Sequence, residues 1–244
     1  MKRSPVLILG AAALLATFSA VGVGWNKYFR TPPVNTLPLP AQLISSESPA
    51  GQELIAGSDY VADYGSLVAN FVGQARNAYC GVASAVVVIN SMGEEQGRVD
   101  QSTFFTDTAR AVKSPWHVSV LGMSLNELGQ LLRAHGTGTT IIHASDTDLD
   151  EFRRTARKNL KTPGDFILVN YQRAELGQSE GGHISPLAAY DPATDSFLIL
   201  DVAPHKYPPV WAPASALWNA MNAPLNPSTQ TTRGFLIVHD APST

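Results

Sequence analysis

Gln74-Ala-Arg-Asn-Ala-Tyr-Cys80-Gly-Val-Ala-Ser-Ala-Val-Val-Val-Ile-Asn90 holds the single cysteine of a 244-residue chain. From Cys80 onward it is rich in Ala and Val. That reads as a buried helix ending near Gly93, with Cys80 near its N-terminus. Unpaired N–H groups and the positive end of the macrodipole favour an anion there, and a thiolate is one. A thiol so placed has a lowered pKa and is a better nucleophile near neutral pH. Gln74, upstream, can offer a side-chain N–H to a developing oxyanion. The plainer reading is that a lone cysteine in apolar surroundings fills core. Cys80 needs partners from elsewhere in the chain before it can act.

With 44% hydrophobic and 15% charged residues, the chain suits one full-sized domain. The net charge is −3, and Lys and Arg are scattered without a run, so no nucleic-acid partner is expected. One cysteine leaves no intramolecular disulfide and no cysteine-cluster zinc site. Lys2 and Arg3 precede an apolar run from Pro5 to Gly24, followed by Trp25, Lys27, Tyr28 and Arg30. This is the order of an export signal, with a break after Gly22 or Gly24. The run is also long enough to span a bilayer as a helix. Residues 1–24 are therefore expected to be a signal peptide or membrane anchor. The rest is expected outside the cytoplasm, in the periplasm, touching membrane only through residues 5–24.

Five prolines between Thr31 and Gly57 suggest an extended tether over residues 25–57, ahead of a domain at 58–244. Helices are expected over Ser58–Phe71, from Cys80, over Gln101–Val112, after the capping box Ser124-Leu-Asn-Glu127, and over Asp148–Leu160. Thr139–His143 is β-like. Strands are expected at Asp165–Tyr171, His183–Tyr190, Ser196–Val202 and Gly234–His239, with a turn at Asp191–Asp195 and a short helix at Pro213–Asn222. Helices first and an antiparallel sheet after them make an α+β domain.

Of six histidines, His183 stands out. A hairpin centred on Pro192 makes His183 and Asp201 cross-strand neighbours, with Cβ atoms about 4.5–5.5 Å apart. An Asp beside a His holds the imidazole in one orientation and stabilises its charged form. Asp201 also ends the apolar run Phe197–Leu200, where an unpaired carboxylate is costly. A His–Asp pair that only closes a hairpin is the structural alternative. Together Cys80, Gln74, His183 and Asp201 supply a nucleophile, an oxyanion donor, a base and its orienting group.

These residues carry a resemblance. Tyr79-Cys-Gly-Val-Ala-Ser84, Asn170-Tyr171, Gly177-Gln178, Gly181-Gly-His-Ile-Ser-Pro-Leu-Ala-Ala-Tyr190, Asp201-Val202, Lys206-Tyr-Pro-Pro-Val-Trp211 and Thr232-Arg-Gly-Phe235 resemble the phytochelatin synthase family, over about residues 36 to 240. The resemblance implies a papain-like fold and the triad Cys80, His183 and Asp201, with Gln74 as oxyanion donor. It further implies that Arg233 anchors the γ-glutamyl part of glutathione, with Gly182 and Tyr207 also at the substrate. Family members release glycine from glutathione and hold γ-glutamylcysteine as a thioester, passing it to a second glutathione or to water. No cofactor is implied, and metal–glutathione thiolates are candidate substrates. A homodimer is left open.

Two departures matter. No Cys-rich region follows the catalytic part, and Pro204 then His205 stand where an acceptor-site basic residue is usual. The chain is thus similar to the short bacterial form, with hydrolysis favoured over polymer synthesis. Two rivals stay open: an exported cysteine peptidase similar to bacteriocin-leader peptidases, and a non-catalytic binding protein with an inert thiol.

Overall fold

The computed structural model describes residues 25–26, 28–93, 97–225 and 231–241. The expected signal or anchor at 1–24 lies outside these residues. Among the described residues no helix is long and apolar enough to cross a membrane.

Ser48 and Pro49 start a helix inside the expected tether. The Ser48 side chain accepts from the Gly51 N–H, and Pro49 sits where its missing N–H costs nothing, so α1 spans Pro49–Gly57. Ile44–Ser45 just before it forms β1. The stretch read as a tether therefore adds an edge strand and a helix, and the folded body begins well before Ser58. The helix expected over Ser58–Phe71 is shorter than its periodicity suggested. The Ser58 hydroxyl donates to the Tyr190 carbonyl and the Tyr190 N–H donates to the Tyr60 carbonyl, pinning 58–60 to the sheet. Only Tyr64–Ala69 is left to form α2.

Helix α3, Cys80–Ser91, buries every residue from Gly81 to Ile89. Its valines are poor formers of an isolated helix. Each fully buried Val or Ile contributes roughly 1.5–3 kcal/mol, so packing outweighs propensity. Asp100 makes a turn by accepting from the Ser102 and Thr103 N–H groups, which delays the helix expected at Gln101; α4 is Asp107–Val112, capped by Thr106. An unexpected helix α5, Pro115–Leu121, follows a Ser114 cap. The Ser124–Glu127 capping box starts α6, Leu125–Arg133, and Asp148 caps α7, Leu149–Lys161.

Six further strands join β1 in one antiparallel sheet: β2 (Thr137–His143), β3 (Phe166–Gln172), β4 (Gly182–Asp191), β5 (Ser196–Ile199), β6 (Val210–Pro213) and β7 (Gly234–Asp240). Their order is β1-β6-β5-β4-β3-β7-β2. Helix α8, Ala214–Asn222, follows β6. Along β3, Phe166 and Leu168 join the core that contains Val86 and Leu128. Ile167, Val169 and Tyr171 join a second core with Phe152 and Leu217 on the other face. Helices cover both faces, which is why the central strands are apolar without alternation. The architecture is α+β, as composition and order implied.

The β4–β5 hairpin differs from its expected register. Asp191 accepts from the Thr194 N–H and hydroxyl, making a turn that pairs Asp191 with Ser196, Tyr190 with Phe197 and Ala189 with Leu198. The ladder then shifts, Leu187 facing Ile199, and β5 ends there. The centre lies beyond Pro192, so His183 and Asp201 are not ladder neighbours. Irregular chain after Ile199 carries Asp201 back instead.

Candidate active site

The sequence places Cys80 at the first residue of α3, and two side chains register that helix against the sheet. Ser84, one turn along, donates its hydroxyl to the Ile184 carbonyl, the residue after His183. Tyr171 of β3 pairs with His183 of β4, their rings edge to face at 5.7 Å. The first turn of α3 has no side-chain cap and no acidic residue. Its positive end is thus left to whatever anion forms there.

The structure brings Cys80, His183 and Asp201 together. The Cys80 thiol lies within hydrogen-bonding reach of the His183 ring, and both line one pocket. His183 Nε2 lies 2.9 Å from Asp201 Oδ1, an ion-pair contact set at an angle. With Nε2 turned to the carboxylate, Nδ1 is the ring nitrogen left to serve the thiol. Asp201 is fully buried. Its partner is a residue the sequence reading missed: Arg173, in the 3-10 turn Arg173–Leu176 after β3, itself buried. Arg173 pairs with both carboxylate oxygens: Nη2 donates to Oδ1 at 2.8 Å, while Nη1 lies 2.7 Å from Oδ2 as an ion-pair contact set at an angle. Such two-point pairing holds a carboxylate in place. Arg173 also donates to Gln178 Oε1 at 2.6 Å and lies over the Tyr207 ring. The demand for a cation was readable in the sequence, since a buried Asp beside a His still lacks charge balance. Nothing in the spacing pointed to Arg173.

These contacts set the titration of the group. Burial pushes the Cys80 thiol up, but the His183 hydrogen bond and charge, the Ile184 N–H and Arg173 outweigh it, leaving the thiol below its usual range. Burial and Arg173 push His183 down, yet Asp201 and Cys80 prevail and hold it above an ordinary imidazole. Asp201, despite burial, is held far below the usual carboxylate range by His183 and Arg173. The arrangement favours a thiolate beside an imidazolium.

A pocket of about 350 Å³ opens on Cys80 and His183, walled by Leu121 and Met123 on one side and Asn170, Gly182 and Arg233 on the other. A Cβ on Gly81 would lie 2.4 Å from Met123 Sδ, so glycine lets this wall close on the nucleophile. Arg233 is buried; Nη1 donates to the Ala223 and Pro224 carbonyls, while Nε has no partner. Gly182, at the start of β4, lies against that guanidinium. Two expected site residues do not line this pocket. Tyr207 is buried away from this pocket, its hydroxyl accepting from the Ser179 N–H. Gln74 is buried, and its Nε2 donates to the Arg76 and Asn77 carbonyls of its own loop, at 2.9 and 2.8 Å. Among the described residues no three of His, Cys, Asp or Glu gather around a common point for a metal.

Residues 34–235 match the family model described as phytochelatin synthase. The chain is 30% identical over 201 residues to glutathione gamma-glutamylcysteinyltransferase 3 of Lotus japonicus, covering 80% of this chain and 42% of that protein. It is 32% identical to glutathione gamma-glutamylcysteinyltransferase 1 of Arabidopsis thaliana over 70% of this chain and 36% of the relative. With the Schizosaccharomyces pombe glutathione gamma-glutamylcysteinyltransferase it shares 24% identity over 92% of this chain and 54% of the relative. The chain thus spans about a third to a half of the length of these relatives. The match takes in the nucleophile helix, the His183 strand, Asp201 and Arg233, and on that ground the chain belongs to the phytochelatin synthase family.

Proposed function

We propose that the chain is a glutathione γ-glutamylcysteine transferase and hydrolase with a papain-like active site. One observation carries the reading: a helix-N-terminal thiol within hydrogen-bonding reach of a histidine that a buried, Arg-paired carboxylate orients. The Cys80 thiolate attacks the carbonyl carbon of the Cys–Gly bond, and N–H groups at the start of α3 face the developing oxyanion. For Gln74 to join them it must release one of its two loop carbonyls. The His183 imidazolium gives its proton to the departing glycine nitrogen as the C–N bond breaks. γ-Glutamylcysteine is left as a thioester on Cys80. Neutral His183 then takes a proton from the attacking water or from the amine of a second glutathione, and the thiolate leaves. The place of Arg233 in the wall of the same pocket as Cys80 and His183 supports its role as anchor for the γ-glutamyl carboxylate.

Water is the favoured acceptor. Pro204 is packed on Gly73, and the Tyr207 hydroxyl is already engaged, which supports a reduced site for a second tripeptide. No cofactor enters these steps, and metal–glutathione thiolates are candidate substrates. The apolar run at 5–24 supports work in the periplasm. Incubating the purified chain with glutathione tests the reading. Free glycine and γ-glutamylcysteine in equal amounts are expected, and none with Cys80→Ser. Longer γ-glutamylcysteine repeats mean transfer dominates. Intact glutathione together with cleavage of a Gly-Gly leader peptide overturns the proposal in favour of a peptidase.

A further inference from the structure

The segment before β1 touches three loops, those that adjoin Cys80, Asp201 and Arg173. Arg76, in the loop leading to Cys80, stacks over Phe29 at 5.5 Å, and its guanidinium also reaches the Tyr79 hydroxyl and Ser119. The Asn35 N–H donates to the His205 carbonyl at 2.8 Å and the Leu37 N–H to the Lys206 carbonyl at 2.9 Å. Pro40 and Gln42 lie against Gly177, in the turn that begins with Arg173. The segment is itself anchored: Pro32 is buried, and Leu39 and Leu43 enter the second core. Prolines at 32, 33, 38 and 40 stiffen it, fixing φ and lowering the entropy lost on docking.

The middle contact leads straight to the triad. Residues 203–207 form a turn, with the Lys206 and Tyr207 N–H groups donating to the Ala203 carbonyl. The Ala203 N–H at its start donates to Asp201 Oδ1 at 2.8 Å, the oxygen that faces His183. The Val202 carbonyl accepts from the Gln74 N–H at 2.7 Å, tying the same turn to the nucleophile loop. We propose that residues 29–42 are a positioning strap: by clamping the 203–207 turn and its two neighbours, they hold Asp201 in the orientation that keeps His183 paired with Cys80. A break after Gly22 or Gly24 leaves the strap whole. The catalytic role of the pair rests on the function proposed above; the strap's effect on the thiol does not.

Asn35→Pro and Leu37→Pro each delete one N–H from extended chain, and Thr36→Pro between them leaves both bonds in place. The charged and titratable groups facing the pair, Arg173, Asp201, Tyr171 and His205, are untouched. The test is the rate of Cys80 alkylation by iodoacetamide as a function of pH, with glycine release and thermal unfolding on the same full-length proteins. In the Asn35→Pro/Leu37→Pro double variant the midpoint for thiolate formation is expected to rise by about one unit, slowing labelling near neutral pH by about tenfold. Glycine release should fall with it through kcat more than KM, while Thr36→Pro behaves as wild type. An unchanged labelling profile in the double variant overturns the strap, as does an equal loss in Thr36→Pro. If the wild-type chain labels fast but leaves glutathione intact, the function fails and the strap is still judged by its labelling profile.

Discussion

Arg173 decides what Asp201 can be. A carboxylate with no exposed surface is costly unless paired, and the Arg173 guanidinium supplies its counter-charge. Arg173→Met leaves that charge buried and unbalanced; it is expected to destabilise the fold by about 3–5 kcal/mol and to abolish glycine release. Arg173→Lys keeps the charge without the fork, and should retain more stability than activity. Urea unfolding beside an activity assay separates the two. The same residue marks a limit of sequence reading. The His183–Asp201 pair was found by arithmetic on the wrong turn centre; it forms because Arg173 and the Ala203 N–H draw the carboxylate in after the ladder has ended.

At the scale of elements, the pocket depends on how closely β7 approaches β2. A Cβ on Gly234 would fall 2.2 Å from the Ile142 carbonyl oxygen and 2.8 Å from His143 Cα, backbone that cannot swing aside. Gly234 pairs with His143 on one side and Asn170 on the other, and follows Arg233 directly. Gly234→Ala should therefore cost at least about 1–3 kcal/mol as overpacking and raise KM for glutathione by shifting the Arg233 anchor. A stability loss with KM unchanged would show that Arg233 is placed independently of the strand. Helices α3, α6 and α7 were legible because caps and apolar runs are local. β1, β6 and α5 were not: a strand of two residues or four, or one helix of two turns, exists through its neighbours.

For the whole molecule the buried charges link stability to pH. Asp201 has a folded pKa below its unfolded one, so its contribution is complete above the unfolded value, near 4, and is lost as pH falls toward the folded value. Denaturant midpoints should be level between about pH 6 and pH 5 and then drop, with a shallower drop in Asp201→Asn. His183 works in the opposite direction: its pKa is raised on folding, so its share is complete below about 6.5 and fades as pH rises through the folded value. By itself the sequence determined the chemistry on offer: one thiol at a helix start, one His in a later sheet, one Asp after an apolar run, and an α+β order, because these follow from residue type and short-range pattern. Only the tertiary structure decided what stands beside them. The Arg173–Asp201 pair, the seat of Tyr207 under the Arg173 guanidinium and the strap across three loops all join residues far apart in sequence. Such contacts are chosen by burial and by the need to satisfy every charge and hydrogen bond at once, and no local pattern records that choice.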